Sequence, residues 1–141
     1  MLFCVFNQLN ADWIWQPVTM TNYVEVISTI KKLSGRKIPL VLNLCDGDEV
    51  NGTPGVSVIH ELEKQKLIYT GSDHLYYDIT TSKIPMKKAF DQHKVSNANW
   101  EIIDGSEQSI DGICKRLGAP LIIKPAVSGG SMGVSVKNVV Y

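Results

Sequence analysis

The sequence has 141 residues, of which 44% are hydrophobic and 20% charged, and its 14 basic residues equal its 14 acidic ones. These values are typical of a soluble globular protein of roughly one domain and exclude a disordered tail. The even charge balance excludes the basic surface that nucleic-acid binding requires. The apolar start is interrupted at Asn7, which predicts neither a targeting segment nor a membrane span.

The cysteines and histidines give no pattern of metal binding. Cys4, Cys45 and Cys114 are far apart and form no Cys-x-x-Cys pair, which favours neither a disulfide framework nor a zinc site. The histidines also lack ligand spacing and are predicted to be ordinary core or surface residues: His60, His74 and His93. We therefore expect a reducing cytoplasm and no metal ligand in this chain.

The first half of the chain alternates helices and strands. Apolar residues recur at helical spacing from Thr21 to Lys32, which predicts an amphipathic helix. The nearly continuous apolar run from Ile38 to Cys45 predicts a parallel strand that is covered on both faces. A second helix is predicted from Pro54 to about Lys66, and a short strand follows from Leu67 to Thr70.

A loop rich in Asp, Gly and Asn separates the first strand from the second helix. Asp46, Asp48, Glu49 and Asn51 resemble a calcium loop in their spacing. An EF-hand, however, needs an oxygen ligand at the position of Val50 and a glycine at that of Asn51. The sequence therefore favours a hydrated surface loop.

The second half of the chain continues the alternation. Helices are predicted from Asp73 to Lys83, Pro85 to His93 and Glu107 to Leu117, and strands from Trp100 to Ile103, Leu121 to Lys124 and Val134 to Val140. Such alternation indicates an α/β architecture. We expect a three-layer half before about Thr81 and a more open half after it.

The most informative stretch is a lysine-bearing strand beside a glycine-rich loop. Lys124 lies near the end of the strand, and the loop runs from Ser128 to Gly133. Glycines let backbone N–H groups approach phosphate oxygens, and a nearby lysine supplies positive charge. A Walker A loop is excluded because the lysine precedes the glycines. Taken alone, the stretch also fits a hairpin turn at Gly129 and Gly130 beside a solvated lysine.

Segments in this order and spacing resemble the D-alanine–D-alanine ligase family of ATP-grasp enzymes, from about Ile38 to Val136. The matching segments are Val41 to Gly47 with Asn51 to Gly55, Tyr69 to Ser72 followed by Ser82 and Lys83, and Lys124 to Ala126 with the loop from Ser128 to Gly133. Two positions depart from the family. Gly130 stands where a second serine is usual, and Asp46 stands where a histidine is usual, which leaves the amino-acid specificity open.

The resemblance implies an α/β fold in two parts. Residues 1–80 are expected to form a pre-ATP-grasp, Rossmann-like parallel-sheet domain, although its N-terminal glycine-rich strand is not recognised before Thr19. Residues 81–141 are expected to form the N-terminal part of an ATP-grasp domain. The family's magnesium ligands, adenine-contacting hinge and catalytic arginine follow the glycine loop at a distance beyond Tyr141. We therefore expect a truncated sequence or one segment of a split protein, with no catalytic residue assigned.

The implied activity is ADP-forming ligation of a carboxylate to an amine through an acyl-phosphate. The implied cofactors are ATP and Mg²⁺, with the Mg²⁺ ligands outside this chain, and the partners are small, amino-acid-like substrates in the cytoplasm; a homodimer stays open. The residues implied to bind ATP are Lys83, Lys124, Ser128, Gly129, Gly130, Ser131 and Gly133. The alternative is a non-catalytic nucleotide-binding or interaction module that keeps part of the ATP-grasp fold.

Overall fold

The fold is that of a computed structural model, and the structure describes residues 6, 8, 11–104, 110–128 and 131–141, with residues 110 and 111 described by their backbone alone. The helices are α1 (Tyr23–Leu33), α2 (Val56–Lys64), α3 (His74–Thr80), α4 (Lys83–Gln92) and α5 (Ile110–Leu117). The strands are β1 (Leu40–Val41), β2 (Ile68–Tyr69), β3 (Leu121–Ile122) and β4 (Val139–Val140), and 3-10 turns lie at Glu49–Asn51 and Val136–Asn138.

The first half contains a parallel strand pair. β1 and β2 are parallel, with Leu40 opposite Ile68 and Val41 opposite Tyr69, and α2 lies between them in the chain. A crossover helix is the usual connection between parallel strands, because a tight hairpin can join only antiparallel ones. The predicted α/β alternation with a parallel pair is confirmed.

The hydrophobic core lies where α1 and α2 pack over one face of this sheet. Its buried members share an aliphatic side chain and are Ile27, Val58, Ile59, Leu62 and Leu67. On α2 the buried positions follow the three-to-four-residue spacing of one helix face, as the sequence predicts. Burial of each such side chain contributes about 1.5–3 kcal/mol, so this cluster is the main source of stability in the described first half.

The prediction that the segment from Ile38 to Cys45 is covered on both faces is wrong in the described structure. Leu42 and Leu44 are exposed, whereas Val41 and Cys45 pack against the core. A continuous apolar run fits either two-sided burial or an apolar face in solvent, and periodicity does not separate the two. Whether the outer face of this segment is buried depends on what packs against it, and no described element covers that face.

A helix boundary falls where the sequence predicted helix interior. The sequence predicted one helix from Asp73 to Lys83, but α3 ends at Thr80 and α4 begins at Lys83. Ser82 caps α4, because its hydroxyl accepts a hydrogen bond from Ile84 N. Pro85 fits in the first turn of α4, where a backbone N–H has no helical partner to lose. Lys83 is therefore the first residue of a helix and not the last.

The second half is held by short elements. β3 and β4 are antiparallel, with Leu121 opposite Val140. The strand predicted from Leu121 to Lys124 is confirmed in shortened form, whereas the segment predicted as a strand from Val134 to Val140 is a strand only at Val139–Val140 and forms a 3-10 turn at Val136–Asn138. The strand predicted from Trp100 to Ile103 is wrong, because no strand is assigned at those residues. They lack a strand partner, and Trp100 Nε1 instead donates to Asp91. Among the described residues, no helix is both long and apolar enough to cross a membrane.

Candidate functional site

The acidic loop before α2 is folded on itself. Asp48 is buried, and its carboxylate accepts hydrogen bonds from Val50 N, Asn51 N and Asn51 Nδ2. Gly47 N donates to Pro54 O across the base of the loop at 2.9 Å. The expectation of a hydrated loop is therefore wrong at Asp48, whose carboxylate is used to close a 3-10 turn.

The loop also closes over the start of α2. The Glu49 carboxylate accepts from Gly55 N, Ser57 N and Ser57 Oγ, which satisfies donors that an α-helix leaves free at its N-terminus. Gly55 must be glycine here, because a Cβ at this position would collide with the carbonyl of Gly47. The loop is thereby fixed at both ends and presents Asp46 at its exposed edge.

A polar cavity of about 370 Å³ lies between this loop, α3 and the start of the glycine-rich loop. Its lining is rich in hydroxyl groups and consists of Asp46, Gly47, Asp48, Gly71, Ser72, Tyr76, Tyr77, Thr80, Thr81 and Ser128. This volume is within the range of small-molecule sites. The cavity can therefore hold a small polar molecule between the two halves of the chain.

Asp46 gives the polar cavity a negative charge, and Tyr77 gives it a neutral phenol. Burial, followed by the nearby charge of Asp46, raises the pKa of Tyr77 above its usual value. Tyr77 is thus a protonated hydroxyl at neutral pH and can donate a hydrogen bond. Together the two side chains offer an anionic oxygen and a neutral donor to one bound molecule.

The fold brings Lys83 to the start of the glycine-rich loop. Lys83 N donates to Ala126 O at 2.8 Å, and Ser82 forms an antiparallel bridge with Val127. Lys83 Nζ lies 3.2 Å from both the carbonyl and the hydroxyl oxygen of Ser128, 45 residues away in the chain. A half-buried ammonium is therefore held beside a residue that also lines the polar cavity.

The remaining predicted phosphate-binding residues lie around the same loop. Gly133 has φ +71°, and a Cβ there would lie 2.7 Å from Pro125 Cγ, so the two ends of the loop meet. Ser131 also has a positive φ, of 63°, and Lys124 is exposed. Gly129 and Gly130 lie outside the described residues. The contacts of all these residues with a nucleotide stay a prediction.

The chain is 34% identical over 117 residues to the D-alanine–D-alanine ligase of Glaesserella parasuis serovar 5, a match covering 79% of this chain and 38% of the relative. With the ligase of Xanthomonas axonopodis pv. citri it shares 30% identity over 107 residues, 74% of this chain and 33% of the relative. The chain is similar to D-alanine–D-alanine ligases. The resemblance that its motifs predicted is confirmed.

A further relative is the D-alanine–D-alanine ligase of Idiomarina loihiensis, with 30% identity over 80 residues, 55% of this chain. The ligase-like chain spans 38%, 33% and 26% of the lengths of these three relatives. No protein-family model matches the chain, and no solved structure matches it at a significant level. The similarity is thus to a portion of the D-alanine–D-alanine ligase sequence.

Sequence reasoning missed one constellation in this ligase-like chain. His60, Glu63 and His74 each offer one potential metal-ligating atom, and these atoms lie within 4.8 Å of one another. The spacing of His60 and Glu63 on a predicted helix indicates a shared face. The contact of His74 with His60 and Glu63 depends on the turn between β2 and α3, and no spacing in the sequence predicts this contact.

Proposed function

We propose that this chain holds the nucleotide phosphates and part of the substrate pocket of an ADP-forming carboxylate–amine ligase that is like D-alanine–D-alanine ligase. The observation that carries the proposal is the Lys83 ammonium at Ser128, where the glycine-rich loop begins beside the polar cavity. The similarity to ligases supports the same class of reaction at the level of the family.

The proposed fold assignment rests on the two kinds of strand pairing. A parallel β1–α2–β2 unit supports a Rossmann-like, pre-ATP-grasp domain over residues 1–80. An antiparallel pair that encloses a glycine-rich loop supports the beginning of an ATP-grasp domain over residues 81–141. In this arrangement the phosphate-binding loop lies against the cavity formed by the first domain.

Lys83 fits a phosphate group better than a structural ion pair. Its ammonium contacts the neutral oxygens of Ser128, and none of the ion pairs among the described residues involves it. A cation that is partly removed from water and lacks an anion favours an anionic ligand. We propose that Lys83 and Lys124 neutralise phosphate charge while the backbone amides of the loop donate to phosphate oxygens.

The cavity fits the amino-acid-like substrate. Asp46 favours a bound ammonium group, and the Tyr77 hydroxyl can donate to a carboxylate. Bound ATP with Mg²⁺ supplies the phosphoryl group that converts a substrate carboxylate into an acyl-phosphate, and an amine then displaces the phosphate to form an amide. We assign no Mg²⁺ ligand to this chain. Its own residues bind and orient the reactants and exclude water.

Calorimetric titration with ATP tests the proposal. Lys83→Ala and Lys124→Ala are each expected to weaken ATP binding by about 1–3 kcal/mol, the loss for a charge-assisted contact. Lys88→Ala is the matched control, because Lys88 is an exposed lysine on α4. It removes the same charge from the same helix and should leave the ATP affinity unchanged.

Unchanged ATP affinity in both the Lys83 and the Lys124 variant would contradict the phosphate-site assignment, even if the ATP-grasp fold were correct. Measurement of ADP formation distinguishes the hypothesis of a ligase from that of a non-catalytic module. The ligase forms ADP when ATP and small amino acids are supplied together. In a protein that also carries the magnesium ligands and the catalytic arginine expected beyond Tyr141, binding of ATP without formation of ADP from any such pair favours the module.

A further inference from the structure

Three polar side chains from two helices meet outside the lining of the polar cavity. His60 and Glu63 lie one turn apart on α2, and His74 is the first residue of α3. His74 Nδ1 is 2.6 Å from Glu63 Oε2, and the ring centroids of His60 and His74 are 5.0 Å apart. None of the three lines the polar cavity.

The Glu63 carboxylate is held in one orientation. Its Oε1 atom accepts hydrogen bonds from Tyr69 Oη at 2.8 Å and from His74 N at 3.1 Å, which leaves Oε2 directed at the His74 ring. Such outer hydrogen bonds commonly orient metal-binding carboxylates.

The cluster is open to solvent. The side chains of His74 and Glu63 are 36% and 29% exposed, and His60 is exposed. An ion can thus enter from solvent and keep a water ligand.

We propose that His60, Glu63 and His74 bind a divalent transition-metal ion of the Zn²⁺ type, with water completing a tetrahedral site. Two imidazoles and one carboxylate form a donor set that suits zinc, cobalt or nickel, whereas Mg²⁺ prefers oxygen ligands alone. The site is therefore chemically distinct from the magnesium of an ATP complex. The ion would connect α2 to the start of α3.

The required rearrangement involves side chains alone, because the three ligand atoms already lie within 4.8 Å of one another and the most distant pair has to approach by up to roughly 1.5 Å. Zinc–ligand distances of about 2.0–2.2 Å place two tetrahedral ligand atoms roughly 3.3 Å apart. His74 Nδ1 and Glu63 Oε2 therefore have to separate from their 2.6 Å contact by less than about 1 Å, which side-chain rotation allows. For the metal to take the position of the hydrogen between them, the His74 ring has to change tautomer: the proton leaves Nδ1 and, by exchange with solvent, the neutral ring carries one on Nε2.

Titration of the protein with Zn²⁺ alone, in a buffer that does not coordinate metals, tests this site by calorimetry. We expect one Zn²⁺ ion to bind per protein chain. His60→Gln and His74→Gln should each weaken Zn²⁺ binding by at least about tenfold. The control is His93→Gln, because His93 is exposed at the end of α4, away from the cluster. A parallel titration with Co²⁺ reports nitrogen and oxygen ligation through its visible absorption.

His60→Gln keeps the test decisive if the His74 variant fails to fold, because His60 is exposed. The cysteine thiols are present in every variant, so a loss specific to His60→Gln assigns the ion to the cluster. Zn²⁺ should also raise the thermal midpoint of the parent and of His93→Gln, but not that of His60→Gln. Equal Zn²⁺ affinity in the parent and His60→Gln overturns the proposal, as does an equal loss in His93→Gln.

Discussion

The two halves of this chain are stabilised by different interactions. In residues 11–81 one cluster unites Ile27, Ile59 and the other buried apolar side chains, whereas Ile113 is the buried apolar side chain described in residues 82–141. The first half thus depends on burial of apolar surface. The second depends on polar contacts near solvent and on its attachment to the first half.

Several polar contacts of the second half join residues at most 15 positions apart in the chain. Asn97 joins Lys87 and Asp91, and Glu101 accepts two hydrogen bonds from Arg116. Exposed interactions of this kind contribute less than buried apolar groups. Nine of the ten residues that line the polar cavity belong to the first half, and Ser128 comes from the second, so the firmer half forms most of the cavity wall.

The largest expected effect is on the core of the first half. Ile59→Ala should lower the free energy of unfolding by about 2–5 kcal/mol, because Ile59 is fully buried and its truncation leaves a cavity. Ile122→Ala makes the same change in the second half, where the side chain is 49% exposed, and should cost less than about 1 kcal/mol. Urea unfolding followed by circular dichroism measures both. Equal losses would remove the contrast between the halves.

A smaller loss of stability is expected at Asp48, in the loop that lines the polar cavity. Asp48→Ala should cost about 1–3 kcal/mol of stability, because it removes the buried carboxylate that accepts charge-assisted hydrogen bonds from Val50 N and Asn51 Nδ2. Asp48→Asn keeps one acceptor oxygen and should cost less. The same unfolding experiment compares them. If both variants were as stable as the parent, the loop would not be a firm wall of the cavity.

The smallest expected effect is an electrostatic one, the pH dependence of amide protection in α5. The hydrogen bond from Arg116 lowers the pKa of Glu101 below its usual 4.5. Because the folded pKa is the lower one, the stabilisation is complete above pH 4.5 and is lost as the pH falls through the folded value. Amide protection in α5 should therefore decrease on acidification and in high salt.

Glu101→Gln provides the control for this effect, since it removes the titrating carboxylate and keeps a side chain of the same size. Its α5 protection should lose the component that decreases as the pH falls below 4.5, after correction for intrinsic exchange. An identical pH profile in the parent and the variant would show that the Arg116 contact does not stabilise α5.

Much of the fold follows from local sequence pattern. The helix over Tyr23–Leu33 and the apolar face of Val56–Lys64 follow from helical spacing. Asp73 acts as a predicted cap, accepting from Tyr76 N. The position of Ser82 as a second cap was missed, because a helix that continues and one that restarts have similar apolar patterns.

By itself, the sequence determined the order of helices and strands except at Trp100 to Ile103, the parallel character of the first pair and the similarity to D-alanine–D-alanine ligases. These depend on periodicity, turn residues and motif order, which act over a few neighbouring positions. Only the tertiary structure decided that Lys83 reaches Ser128, that His74 meets Glu63 and that Leu42 lies in solvent. Such outcomes depend on which surfaces pack together, and residues distant in the chain carry no local pattern that specifies their meeting.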